Sequence, residues 1–176
     1  MEFSKLVEVR RSIRDFKEAD IELDDIKKII ECSLLAPSWR NSETGRYYVA
    51  LSSETINEVF EALPDFNQNS SKNAAYIIST YKKGESGFGS NGQSPDGLGD
   101  SWGAYDLGLQ NAYLCLKASD LGYDTLIMGL KDNDKLRKLF NIPQDEEIMP
   151  VIAIGKRNKE SNIPKRKDIE EVLVIK

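Results

Sequence analysis

The sequence predicts helices and strands interspersed in one domain, an α+β or mixed α/β fold. Three observations predict it. A chain of 176 residues suits one domain with a sizeable core. Two runs rich in aromatic and β-branched residues, 46–51 and 75–81, read as strands. Around them stand segments with apolar residues at helical spacing, the longest at 102–121.

In chain order, the first helix is expected over 2–9, where Phe3, Leu6 and Val7 share a face. The second runs over 24–35, with Ile26, Ile29, Ile30 and Ser33 inward, Asp24 as N-cap and Pro37 as the stop. The strand at 46–51 leads to a helix over 54–63 capped by Ser53, then to the strand at 75–81. Residues 82–101 are dominated by Gly, Ser, Asn and Pro, and a loop of this length is expected to be a functional lid or a disordered tip. In the helix at 102–121, Leu107, Asn111, Leu114, Ala118 and Leu121 line one face and Ala104, Gly108, Ala112, Cys115 and Ser119 another. Small and apolar on most sides, it is either a core helix or a dimer-face helix. A short apolar segment at 126–129, a helix over 133–140, a strand over 148–155 and a terminal strand over 172–175 complete the chain. The terminal strand follows a basic, proline-containing stretch and is placed to reach over another subunit.

Composition narrows the function. Net charge is −5, which disfavours non-specific binding to nucleic acid. No apolar run approaches the ~20 residues of a membrane span, and the first residues lack a signal core. The expected location is the cytoplasm, with Cys32 and Cys115 as reduced core thiols. The chain has no histidine, which excludes Ser-His-Asp and Cys-His triads and histidine-ligated metals. An enzyme of this composition most economically takes its chemistry from a cofactor.

Two motifs carry that expectation. Arg10-Arg11-Ser12-Ile13-Arg14 puts three guanidinium forks and a hydroxyl into five positions of an acidic chain, either a phosphate clamp or an exposed basic helix end. A second basic cluster includes Lys165, Arg166 and Lys167, and the two clusters could meet around one anion. Ala36-Pro37-Ser38-Trp39-Arg40-Asn41 ends a helix and presents hydrogen-bonding groups beside an indole. By contrast, residues 87–92 match G-x-G-x-x-G but run on into Ser94-Pro95-Asp96-Gly97, which cannot start the helix that a dinucleotide fingerprint needs.

Taken in order, Arg10-Arg11-Ser12-Ile13-Arg14-Asp15-Phe16, Ala36-Pro37-Ser38-x-x-Asn41, Gly99-Asp100-Ser101-Trp102 with Asp106-Leu107-Gly108-Leu109-Gln110-Asn111, and Leu121-Gly122-Tyr123-Asp124-Thr125-Leu126-Ile127-Met128-Gly129 resemble the flavin-dependent nitroreductase family. The resemblance covers nearly the whole chain. It implies an α+β fold with a mixed sheet flanked by helices, a long central helix at a dimer interface, and a homodimer with two FMN sites between subunits. It implies hydride transfer from NAD(P)H to a nitroaromatic, quinone or similar small acceptor by a ping-pong route. Alternatives are other chemistry on the same fold, such as dehalogenation or enal reduction, a non-catalytic FMN-binding protein, or a basic-ended interaction module without cofactor. By the resemblance, Arg10, Ser12 and Arg14, with Arg11 adjacent, hold phosphate, ribityl and pyrimidine oxygens. Ser38, Trp39 and Asn41 come from the other subunit. Asn67 or Asn69 faces the pyrimidine edge, and Ile127, Met128 and Gly129 line the ring, the last two through backbone N–H groups. Lys165, with Arg166 or Lys167, closes the phosphate site, while Phe88 and Trp102 are candidates for an acceptor lid. The chain departs from the family pattern at Glu43-Thr44-Gly45, where relatives often carry Gln-Pro-Trp.

Overall fold

The computed structural model describes residues 1–176. Helices α1 (Phe3–Val9) and α2 (Leu23–Ser33) flank the two-residue strand β1 (Phe16–Lys17). Strand β2 (Gly45–Ala50), helices α3 (Ser53–Glu61) and α4 (Asp65–Ser70), and strand β3 (Ala75–Lys82) follow. The long helix α5 (Ser101–Asp120), strand β4 (Asp124–Met128), helix α6 (Asn133–Phe140) and strand β5 (Glu146–Arg157) complete the framework. The sheet order is β1-β5-β3-β2, with β4 also on β5, and every ladder is antiparallel. An isolated parallel bridge from Ser12 to Thr125 fastens the basic segment to β4 of this antiparallel sheet.

Alternation along β3 splits the core into two layers. Tyr76 and Ile78 face a cluster with Val59, Leu63 and Leu136, so α3 and α6 cover that face. Ala75 and Ile77 face Ile26, Ile29, Leu114 and Ala118, so α2 and α5 cover the other. With both faces buried, β3 shows no polar alternation in the sequence. Between Ile78 and Thr80 the register with β5 shifts, opposite Met149-Pro150. Proline lacks the N–H that a regular ladder needs, so an irregularity there is the expected accommodation.

Several expectations are corrected. The terminal segment 172–175 is not a strand: a 3-10 turn at Ile169–Glu171 precedes it and its apolar side chains are exposed. A strand needs a paired neighbour, and no ladder in the protomer includes this segment. Helix α4 and strand β1 were not legible, being too short for periodicity to emerge. Ser52, not Ser53, caps α3, accepting from the Thr55 N–H at 3.2 Å. Glu22, not Asp24, is the N-cap position of α2.

The rim of β2, β3 and β5 carries a pH-dependent contact. Buried Glu146 accepts from the Thr80 hydroxyl at 2.5 Å and the Tyr48 hydroxyl at 2.9 Å. Burial, then the hydrogen bond to Glu146, pushes the Tyr48 phenol up to about 12. Its folded pKa lies above the unfolded value of ~10, so this contribution to stability is complete below pH ~10 and declines as pH rises toward 12. Ultraviolet titration is expected to lose one late-titrating tyrosine in Tyr48→Phe. An unchanged titration curve in that variant would contradict the assignment.

Candidate functional site

The basic run is an extended segment between α1 and β1. Its course is set at one end by the Arg10 N–H, which donates to the Leu6 carbonyl at 3.1 Å and closes α1. At the other end the Ile13 N–H donates to the Thr125 carbonyl at 3.1 Å, and the Ile13 side chain is buried. These two anchors leave the Ser12 and Arg14 side chains exposed and those of Arg10 and Arg11 half-buried. None of Arg10, Arg11, Arg14 or Arg166 forms an ion pair, although the chain is rich in carboxylates.

Two concavities flank this segment. The first, about 430 Å³, is lined by Arg14, Phe66, Asn67, Ser70 and residues 126–130. Asn67 is buried and donates through Nδ2 to the Leu130 carbonyl at 2.9 Å, which leaves its side-chain oxygen as the free acceptor. Exposed Phe66, Ile127 and Leu130 give it apolar walls. Since the Thr125 carbonyl points away from β5 toward Ile13, the two-residue repeat puts the Ile127 N–H on the same outer edge. The Arg14 guanidinium makes one long contact, to the Ser12 carbonyl at 3.4 Å.

The second, about 710 Å³, includes Lys5, Arg11, Arg157, Ser161 and Arg166 in its lining. Arg157 is committed elsewhere: Asp124, 8% exposed, takes its Nη2 at 2.6 Å and its Nε at 3.0 Å, and Glu160 takes Nη1 at 2.6 Å. These bonds, led by that to Asp124, hold the Arg157 pKa above its ordinary value. Arg11 and Arg166 are left as the unpaired guanidinium groups of this cleft, donors suited to a phosphate.

The structure thus brings Arg14, Asn67, Ile127, Met128 and Gly129 together, and separately Arg11 and Arg166. Asn69, Lys165 and Lys167 are exposed and line neither concavity; Asn69 sits outside because on α4 it falls two positions from Asn67. Met128 is buried with its side chain in the core, while Gly129 is exposed. Phe88 and Trp102 pack within the 82–101 loop. A Cβ on Gly99 would lie 3.3 Å from the Phe88 ring, and the Trp102 indole N–H donates to Asp96 at 2.7 Å. Self-contained bonding of this kind makes the segment an ordered loop and not a disordered tip. The glycine match at 87–92 lies in turns, with the next helix beginning only at Ser101.

Ser38, Trp39 and Asn41 also line neither concavity of their own protomer. They form a 3-10 turn in which Arg40, Asn41 and the following Glu43 have φ of 51°, 56° and 51°. Left-handed backbone costs a non-glycine residue roughly 1–2 kcal/mol, so the turn needs outside support. Support comes from Arg40 stacked over the Trp39 ring at 4.5 Å and from Asn41 Nδ2 donating to Glu43 at 2.6 Å. The Ser38 hydroxyl accepts from the Glu43 N–H at 3.2 Å, and Asp106 accepts from the Trp39 N–H at 3.0 Å. The sequence gives neither Glu43 nor Asp106 a site role. The available signal was that Asp106 is the lone charge between Ser101 and Leu116.

Comparisons with known proteins give the family and the fold. A family model described as "Nitroreductase family" matches residues 7–156. An Archaeoglobus fulgidus protein named "Putative NADH dehydrogenase/NAD(P)H nitroreductase" is 25% identical over 155 residues, covering 86% of this chain and 83% of its own. The fold matches that of a "putative nitroreductase in complex with FMN" from Exiguobacterium sibiricum 255-15, with TM-score 0.83, 23% identity and coverage of 100% of this chain and 98% of that one. It also matches a nitroreductase family protein from Streptococcus pneumoniae TIGR4, with TM-score 0.83, 19% identity and coverage of 99% and 100%. With the family model spanning the basic run, the strained turn, the central helix and the β4 edge, the chain belongs to the nitroreductase family.

Proposed function

We propose that this chain is a single-domain, FMN-dependent oxidoreductase. It passes a hydride from NAD(P)H to a nitroaromatic, quinone or similar electron-poor acceptor by a ping-pong mechanism, as a homodimer with FMN sites shared between subunits. The observation that carries the reading is Arg14, without a carboxylate partner, in an apolar-walled concavity, with unpaired Arg11 and Arg166 in the neighbouring one, in a member of this family. The names of the Archaeoglobus and Exiguobacterium proteins support the donor and the cofactor.

The residues present fit FMN. Arg10, Arg11 and Ser12, with Arg166 and its neighbours Lys165 and Lys167, would hold a phosphate; Arg14 would sit at the pyrimidine end of the ring. The free oxygen of Asn67 would accept a ring N–H, a role that exposed Asn69 is not placed to fill. Backbone N–H groups at Ile127, on the open side of β4, and at Gly129 would meet the ring edge, whereas the same alternation turns the Met128 N–H toward β5. When bound, the flavin supplies hydride acceptance and delivery, so a chain without histidine needs no side-chain base. Arg14 stabilises negative charge developing beside it because its cation is already in place. Ser38, Trp39 and Asn41 would complete the partner's site. Phe88 and Trp102 would border the acceptor.

The homodimer is supported by α5. Its buried side carries Leu107, Leu114 and Ala118, while Tyr105, Gly108, Ala112 and Tyr113 are exposed on an uncharged outer side. An uncharged, partly aromatic exposed stripe is the kind of surface a second copy covers.

The purified protein is expected to show a flavin spectrum that bleaches when NADH or NADPH is added without oxygen. A colourless protein that also fails to take up FMN would overturn the cofactor. A bound flavin that neither nucleotide bleaches would overturn the oxidoreductase.

A further inference from the structure

Asp106 is a buried carboxylate with no cationic partner. It is 2% exposed on the second turn of α5, and none of the ion pairs includes it. A charged group in that position is retained only where hydrogen bonds replace its water. Asp106 has two, both to Oδ2 and both from distant segments. The Trp39 backbone N–H donates at 3.0 Å and the Ser86 hydroxyl at 2.6 Å. The first donor opens the strained 38–43 turn, and the second lies near the root of the 82–101 loop, where Ser86 is itself buried. That root is tied back a second time, by the Gly84 N–H donating to Asp100 at 2.7 Å. One oxygen atom of the central helix therefore joins the turn that carries Ser38, Trp39 and Asn41 to the loop that carries Phe88.

We propose that Asp106 is a positioning residue that holds the 38–43 turn in its strained form and couples that turn to the 82–101 loop through Ser86. The functional part of this inference rests on the reading above, in which the turn contacts FMN and the loop borders the acceptor. Charge strengthens the role: the carboxylate Oδ2 accepts both donors as charge-assisted hydrogen bonds, whereas an amide oxygen in its place accepts them as weaker neutral ones and sets an NH2 donor where Oδ1 stood. Asp106→Asn is therefore expected to loosen both the turn and the loop while keeping the volume of the side chain.

Trp39 allows a test that does not depend on activity. The chain has two tryptophans, so in a Trp102→Phe background Trp39 is the sole reporter. In that background Asp106→Asn and Ser86→Ala are expected to raise acrylamide quenching of Trp39 and shift its emission. Ser79→Ala, which breaks the buried bond from β3 to Asn111 of α5, is expected to lower thermal stability without moving the Trp39 signal. In FMN titrations Asp106→Asn is expected to weaken binding about tenfold, the scale of one lost charge-assisted hydrogen bond. In the acceptor half-reaction Ser86→Ala is expected to raise KM more than it lowers kcat. Unchanged Trp39 quenching in folded Asp106→Asn, or in Ser86→Ala, overturns the proposal. So does an equal shift in Ser79→Ala, which would mark a general loosening of α5. If the wild-type protein takes up no FMN, the cofactor reading fails while the Trp39 measurements still decide the role of Asp106.

Discussion

An Arg10→Ala/Arg14→Ala double variant is expected to fold normally and purify without FMN. Arg14 makes a single long contact to the Ser12 carbonyl and Arg10 has no ion pair, so removing both side chains costs the protomer little. Toward FMN the cost is large. Each charge-assisted hydrogen bond contributes ~1.5–3 kcal/mol, and two lost bonds correspond to a weakening of about a hundredfold or more. Flavin fluorescence titration of the apoprotein measures this directly, with thermal denaturation as the control for folding. Wild-type FMN occupancy in the double variant would refute the clamp. A reduced salt dependence of FMN binding in Arg166→Ala alone would further mark the phosphate end, because one screenable charge contact is gone.

A Gly108→Glu/Ala112→Glu variant is expected to be monomeric and free of FMN. The two positions are four apart on the outer side of α5 and share one face. A Cβ at Gly108 would meet nothing within 4 Å, so the protomer has room for the new side chains. Glutamate is also a better helix residue than glycine by close to 1 kcal/mol. At a dimer seam the same carboxylates would be buried without partners, which costs several kcal/mol. Sedimentation velocity reads the assembly state and the visible spectrum reads the flavin. The arginine variant is expected to lose flavin and remain dimeric, whereas this variant loses both, because Ser38, Trp39 and Asn41 no longer reach the partner's site. A dimer that persists in the glutamate variant would place the interface elsewhere.

Much of the fold was legible because its signals are local. Residues 133–140 carry helical spacing behind a capping Asp132, and the structure has α6 over that range. The strand at 75–81 is nearly β3 itself, since its β-branched and aromatic run suits burial on both faces. The site was legible in part for the same reason. Three arginines in five positions are unusual in any acidic chain, and the structure leaves them without carboxylate partners. What the sequence hid depends on partners far along the chain. Phe16–Lys17 is a strand only because Lys156 and Arg157 lie opposite. Residues 172–175 have strand composition and no ladder, which composition cannot reveal. Asn67 and Asn69 are equal candidates in the sequence, and only the packing of α4 turns one toward the Leu130 carbonyl and leaves the other in solvent.

The sequence by itself determined the alternation of helices and strands, the absence of histidine chemistry, and the concentration of cationic donors from Arg10 to Arg14. These follow from the charge, shape and spacing of neighbouring residues. Tertiary structure alone decided which cations remain unpaired, which amide faces the concavity, and that Asp106 joins residues 39 and 86. Those outcomes turn on which distant groups satisfy one another's hydrogen bonds and charges once water is excluded, and sequence spacing carries no record of that.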